Sequence, residues 1–130
     1  MIVTNLKQLK PVESTLVLKH AETKEVLKGV DKKPLTFRLV SLESQHFFAN
    51  AVMQTKLELD VTEEQKKDPL YHRMNSARYL AGNVTGWSHP EVFGDFSFER
   101  AVELFDDVEL EWLVTQVQQH VTERKHFFVK

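Results

Sequence analysis

The chain is predicted to be an α+β domain, with a small antiparallel sheet of about three strands followed by about four helices. Three observations lead there. Apolar residues alternate every second position between residues 15 and 40, the period lengthens to that of a helix after residue 41, and helix-capping residues stand at the head of each later apolar run. At 130 residues the chain suits one domain, divided into a β-rich part (1–40) and a helical part (41–130).

The elements follow in order. Leu16 and Leu18 alternate with Val17 and Lys19, residues 22–24 are polar enough to turn the chain, and residues 25–28 are placed to pair back as a hairpin. After the turn Asp31-Lys32-Lys33-Pro34, a third strand is expected where Leu35, Phe37 and Leu39 alternate with Thr36 and Arg38. A helix then starts near Ser41 or Ser44, whose hydroxyls suit the unpaired N–H groups of a first turn, and Phe48, Ala51, Val52, Thr55 and Leu59 share one of its faces. Thr62 to Gln65 spells a capping box, but Asp68-Pro69 is the better start for the second helix, leaving residues 63–68 as a solvated connection. Leu70, Met74, Ala77 and Ala81 form its core stripe, and Gly82 is expected to close it in a left-handed conformation.

Gly86-Trp87 reads as a loop. Ser97 caps a third helix with Phe98, Ala101, Val102 and Phe105 on one side, and Asp106-Asp107 ends it and caps the fourth. In that fourth helix Leu110, Leu113, Val114, Val117 and Val121 fall in one sector, to which Phe128 returns if the helix runs that far. Trp112 projects from the opposite side together with Val108. The helix is therefore expected to be apolar on two faces, covered by the Gly86-Trp87 loop or by another molecule.

Composition narrows function by exclusion. Lys and Arg number 17 against 19 Asp and Glu, a formal charge of −2, so no polycation is present to drive binding to a phosphate backbone. Cysteine is absent, which removes disulfides, thiolate ligands and thiol nucleophiles. No stretch approaches the roughly 20 apolar residues of a membrane span, and the N-terminus lacks a signal-peptide core, so a soluble intracellular protein is expected. The six histidines are scattered and read as surface residues, without the paired spacing of a helical zinc site. Neither a nucleophile elbow nor a phosphate-binding glycine loop occurs, and the acidic group around Asp106 is accounted for by capping. No catalytic residue, metal or cofactor is assigned.

The order Tyr79-Leu80-Ala81, Gly86-Trp87, Phe96-Ser97, Leu104-Phe105, Leu110-Glu111-Trp112-Leu113, Gln116-Val117 and Phe127 resembles the tail assembly chaperones of long-tailed bacteriophages, most strongly over residues 76–128. The resemblance implies a non-enzymatic protein of the infected bacterial cytoplasm that binds and solubilises the tape measure protein, helps recruit tail tube subunits, and is absent from the mature virion. It also implies self-association and a longer form made by ribosomal frameshifting. Trp112, Val108 and Phe127 are the candidate self-association or client contacts. The alternative is a structural virion protein such as a head-tail connector or tail terminator subunit.

Overall fold

A computed structural model describes residues 1–128. Its sheet has three antiparallel strands in the order β1 (Ser14–Val17), β2 (Thr36–Leu39) and β3 (Val84–Trp87). The helices are α1 (Gln45–Glu58), α2 (Glu63–Lys66), α3 (Pro69–Ala81), α4 (Pro90–Phe93), α5 (Phe98–Asp106) and α6 (Glu111–Thr122). The α+β class is as predicted, but one strand comes from an unexpected place. Residues 25–28 reach the sheet region only through single bridges, Lys19 with Val26 and Lys28 with Pro34. The far side of β2 is occupied instead by β3, built on Gly86-Trp87, the segment expected to be a loop. Three-strand antiparallel order thus survives, while the proposed division at residue 40 is crossed by the sheet itself.

The register explains why this segment pairs. Phe37 stands opposite Leu16 on one side and Trp87 on the other, and Arg38 stands opposite Gly86. A Cβ at position 86 would run into the Arg38 guanidinium, so glycine lets that side chain lie flat across the neighbouring strand. Phe37 is the hub of the core: its ring lies 5.2 Å from Trp87, 5.1 Å from Phe93 in an edge-on arrangement, and 6.3 Å from Phe105. Trp87 is buried and its indole N–H donates to the Gly94 carbonyl at 2.8 Å, which satisfies the polar end of the ring. Gly94 itself has φ +88, a conformation that favours glycine, and it turns the chain out of α4 toward Phe96, whose ring stacks edge-on against Trp87 at 4.8 Å. Most of the C-terminal aromatic signature is therefore packing between the sheet and the helices.

The predicted caps are present at three helices. Ser44, Asp68 and Ser97 accept from the N–H groups of Phe47, Leu70 and Arg100, with Pro69 at the first helical position. The Thr62–Gln65 capping box also forms and holds the one-turn helix α2, so the connection after α1 is partly helical. Gly82 differs from expectation: its φ is −66, right-handed, and its lack of a side chain serves a close approach of Asn50 from α1. Asp107 caps a 3-10 turn over Val108–Leu110, with Oδ1 accepting from Glu109 N at 2.9 Å, and α6 begins only at Glu111. Val108 is accordingly on that turn and not on the helix. Since α6 ends at Thr122, Phe128 is not brought back by helical phase; it leans on the core after a further 3-10 turn over Arg124–His126. Leu113, Val114, Val117 and Val121 are buried as predicted, and so are Ala77, Ala81, Ala101 and Phe105. Leu70, expected in the α3 stripe, is exposed.

Candidate functional site

The three residues singled out from sequence fall into three different environments. Phe127 is 0% exposed, its ring edge-on to His120 at 5.6 Å, and its carbonyl accepts from Val12 N at 2.7 Å. A ring so enclosed is a core residue, which corrects its assignment as a surface contact. Trp112 is half-buried at the rim of the core, and Val108 is 69% exposed. The cover expected over Trp112 from Gly86-Trp87 is absent, because Trp87 is committed to Phe37, Phe93 and Phe96 within and beside the sheet.

A larger apolar surface lies on α1. Its inward side is largely polar: Asn50 donates to the Arg78 carbonyl at 3.1 Å, Asn75 of α3 donates to Glu58 at 2.8 Å, and Tyr79 donates to Glu58 at 3.1 Å. Gln54 is buried there too, with Oε1 lacking a partner among the described residues. With that side engaged, the helix has to turn Phe48 (68% exposed), Val52 and Leu59 (81%) outward, with Met53 and Leu57 exposed on the opposite flank. Phe48, Val52 and Leu59 recur at spacings of four and seven, one apolar stripe of the helix, while Thr55 between them turns its hydroxyl to Tyr79 of α3 at 3.1 Å. The sequence grouped these residues on one face; that the face points to solvent was not visible from periodicity.

A groove runs between α3 and α6. One chamber of about 460 Å³ is bounded by Leu42, Phe47, Tyr79, Leu80, Asn83 and Val121 among others, and a second of about 300 Å³ reaches Arg73, Phe105 and Glu111. Ser76, Leu80 and Gln118 line both. Arg73 is already engaged, donating to the Asp106 carbonyl at 2.8 Å and to Glu111 at 3.2 Å.

Two of the histidines depart from the surface reading. His89 is buried, with Nε2 2.9 Å from Asp31 Oδ1 and Nδ1 2.6 Å from Ser88 Oγ. The order Ser-His-Asp invites comparison with a hydrolytic triad, but Ser88 Oγ also accepts from Thr36 N at 2.9 Å and so helps hold the end of β2. These bonds fasten the turn before β2 to the start of α4, and the His89 hydrogen bond is the main cause holding the Asp31 carboxyl below its usual range. His120 is the second buried histidine; Ser14 Oγ lies 2.9 Å from its Nε2 and His126 stacks on it at 3.9 Å. Burial first, and the neighbouring His126 second, push its pKa down to about 4.

Among the described residues no group of three His, Cys, Asp or Glu side chains is placed to hold a metal ion, and no helix is long and apolar enough to cross a membrane. No family model, curated protein or solved structure matches the chain.

Proposed function

We propose that the chain is a tail assembly chaperone of a long-tailed bacteriophage. In this reading it acts without catalysis in the cytoplasm of the infected bacterium, keeps the tape measure protein soluble, helps bring tail tube subunits to it, and is left out of the finished virion. The observation that carries the reading is α1, a capped 14-residue helix whose apolar seam faces solvent while polar contacts hold it to α3. A long helical client exposes repeated apolar stripes before assembly, and a helix presenting its own seam can shield them. The order of C-terminal residues that resembles the family supports it, as does a near-neutral surface that lets copies sit side by side on one client or beside a longer frameshifted form. Val108 and the rim of Trp112 supply a second, smaller apolar contact.

The test is co-expression with the tape measure protein encoded alongside it. The client is expected to become soluble and to co-purify, and mass spectrometry of purified particles is expected to lack the chain. A client that stays insoluble, or a chain found stoichiometrically in particles, rejects the reading.

A further inference from the structure

The turn before β2 is pinned in place and carries an apolar tip among lysines. Gly29 N donates to the Lys33 carbonyl at 3.1 Å, Lys32 N donates back to the Gly29 carbonyl at 3.0 Å, and Lys33 N donates to Asp31 Oδ1 at 3.0 Å. The same carboxylate meets the buried His89 ring at 2.9 Å, and a Cβ at Gly29 would run into that ring, so the turn lies close against the start of α4. Lys32 closes the turn at φ +65, a left-handed position that glycine takes more easily. What this scaffold holds outward is Val30, 97% exposed, with Lys28, Lys32 and Lys33 exposed around it. None of these three lysines makes an ion pair among the described residues.

The opposite combination stands where α5 runs into the 3-10 turn. Val108 is exposed there between Asp107 and Glu109, and Glu99 is exposed on the first turn of α5. These three carboxylates also make no ion pair among the described residues, whereas their neighbours Glu103, Asp106 and Glu111 are answered by Arg100 and Arg73. The chain as a whole repeats the division: residues 1–40 hold eight Lys and Arg against four Asp and Glu, and residues 41–130 hold nine against fifteen. A formal charge of −2 therefore conceals a basic part and an acidic part.

One copy cannot satisfy both surfaces by itself. The Asp31–His89 contact fixes the turn on α4, and no ion pair among the described residues joins it to the Val108 edge. A second copy brings each surface its complement: three ammonium groups face three carboxylates around valine against valine, an apolar centre with a charged rim. We infer that copies of this chain associate head to tail, the Val30 turn of one seating on the Val108 edge of the next. Because the two surfaces differ, each copy in a pair keeps one of them open, and further copies can add in a row. Such a row suits a long client, but the association does not rest on the chaperone reading and is tested without any client. The contact is small and its rim is exposed charge, so it is weak and sensitive to salt.

The experiment uses the purified full chain and two charge-reversed proteins, one with Lys32→Glu and Lys33→Glu, the other with Glu99→Lys and Glu109→Lys. In sedimentation velocity at low salt the unaltered chain is expected to associate with rising concentration. Its affinity is expected to fall roughly tenfold or more in ~1 M salt, where charges are screened within about 3 Å. Each reversed protein alone is expected to stay monomeric, and an equimolar mixture of the two to associate as the unaltered chain does, since every turn then meets an edge of opposite sign. In that mixture the Trp112 indole N–H resonance is expected to shift, while that of Trp87, held on the Gly94 carbonyl, stays still. Val30→Asp, at a position open to solvent, is expected to weaken association with urea stability unchanged, and it tests the turn should a reversed protein misfold. A chain that stays monomeric at low salt, reversed proteins that still associate alone, a mixture that does not, or shifts confined to the outer face of α1 overturns the inference. Association of this kind beside a client that stays insoluble would keep the inference and remove the chaperone reading; a monomeric chain that solubilises the client would do the reverse.

Discussion

Acidification from pH 7.5 to pH 4.5 perturbs one identifiable contact, the stack of His120 on His126. In the folded chain His120 has a pKa of about 4, against an ordinary value of 6.5, because its ring is enclosed and a second imidazole lies 3.9 Å away. Above pH 6.5 the ring is neutral in both folded and unfolded states, and its full contribution to stability is present. Below 6.5 the unfolded chain takes up a proton that the folded chain refuses, so stability falls with pH until the folded ring also titrates near 4. At about 1.36 kcal/mol per pKa unit, the loss is about 2 kcal/mol by pH 5 and about 3 kcal/mol in full. Small domains hold only about 5–15 kcal/mol, so the change is large enough to measure. Urea unfolding followed by tryptophan fluorescence should show the midpoint falling by about 1 M between pH 7 and pH 5, given slopes of about 1–3 kcal/mol per M. Asp31, Glu43 and Glu123, whose pKa values are lowered from 3.8–4.5, begin to lose their contributions only as the pH falls below about 5 towards those ordinary values, so the window from pH 6.5 to pH 5 belongs to His120. In His120→Gln the dependence between pH 6.5 and pH 5 should disappear. Equal slopes in the two proteins would refute the assignment.

Phe37→Ala removes the ring that joins Trp87, Phe93 and Phe105, and should cost about 3–5 kcal/mol in urea unfolding, with the tryptophan emission shifted red as Trp87 loosens. Gly82→Ala drives a methyl group into Asn50, breaks its bond to the Arg78 carbonyl and should cost about 1–2 kcal/mol, read as faster hydrogen exchange in α1 with α6 unchanged. The double change Phe48→Asp with Leu59→Asp lies on the solvent face of α1 and should move stability by less than about 1 kcal/mol while abolishing client co-purification. Val108→Asp should leave folding intact, whereas Trp112→Ala should destabilise the core rim; loss of client binding in the first of these, at unchanged stability, is the result that assigns a contact to this edge.

What could be read from the sequence was local. Ser44, Asp68-Pro69 and Ser97 announce helix starts because a cap bonds within three residues of itself, and the period of α6 identifies its buried side because the rest of the domain meets it there. The third strand was not legible, since Val84–Trp87 is four residues long, contains glycine and pairs with a strand more than forty residues earlier. Trp112 and Val108 were separated by a change from 3-10 to α geometry at Glu111, which a constant angle per residue cannot register. The burial of His89 and His120 was equally hidden: each ring finds its hydrogen-bond partner far away in sequence, Asp31 for one and Ser14 for the other. For α1, periodicity grouped the apolar residues correctly, but orientation was decided by hydrogen bonds from Asn75, Tyr79 and Asn50 to groups on another helix.

The outer face of α1 and the α3–α6 groove are reached by adjacent residues of one helix, yet substitution can address them separately. Phe47 walls the groove while Phe48, the next residue, points to solvent. Displacing α1 therefore disturbs both surfaces, whereas charging Phe48 and Leu59 alters only the outer one. Gly82→Ala, acting at the α1–α3 junction, should loosen α1 and weaken client binding with it. Phe48→Asp with Leu59→Asp should weaken the client while hydrogen exchange in α1 stays unchanged. If both variants instead loosened α1 and weakened the client in parallel, the polar docking of α1 on α3 would have to be the element that couples the outer face to the rest of the domain.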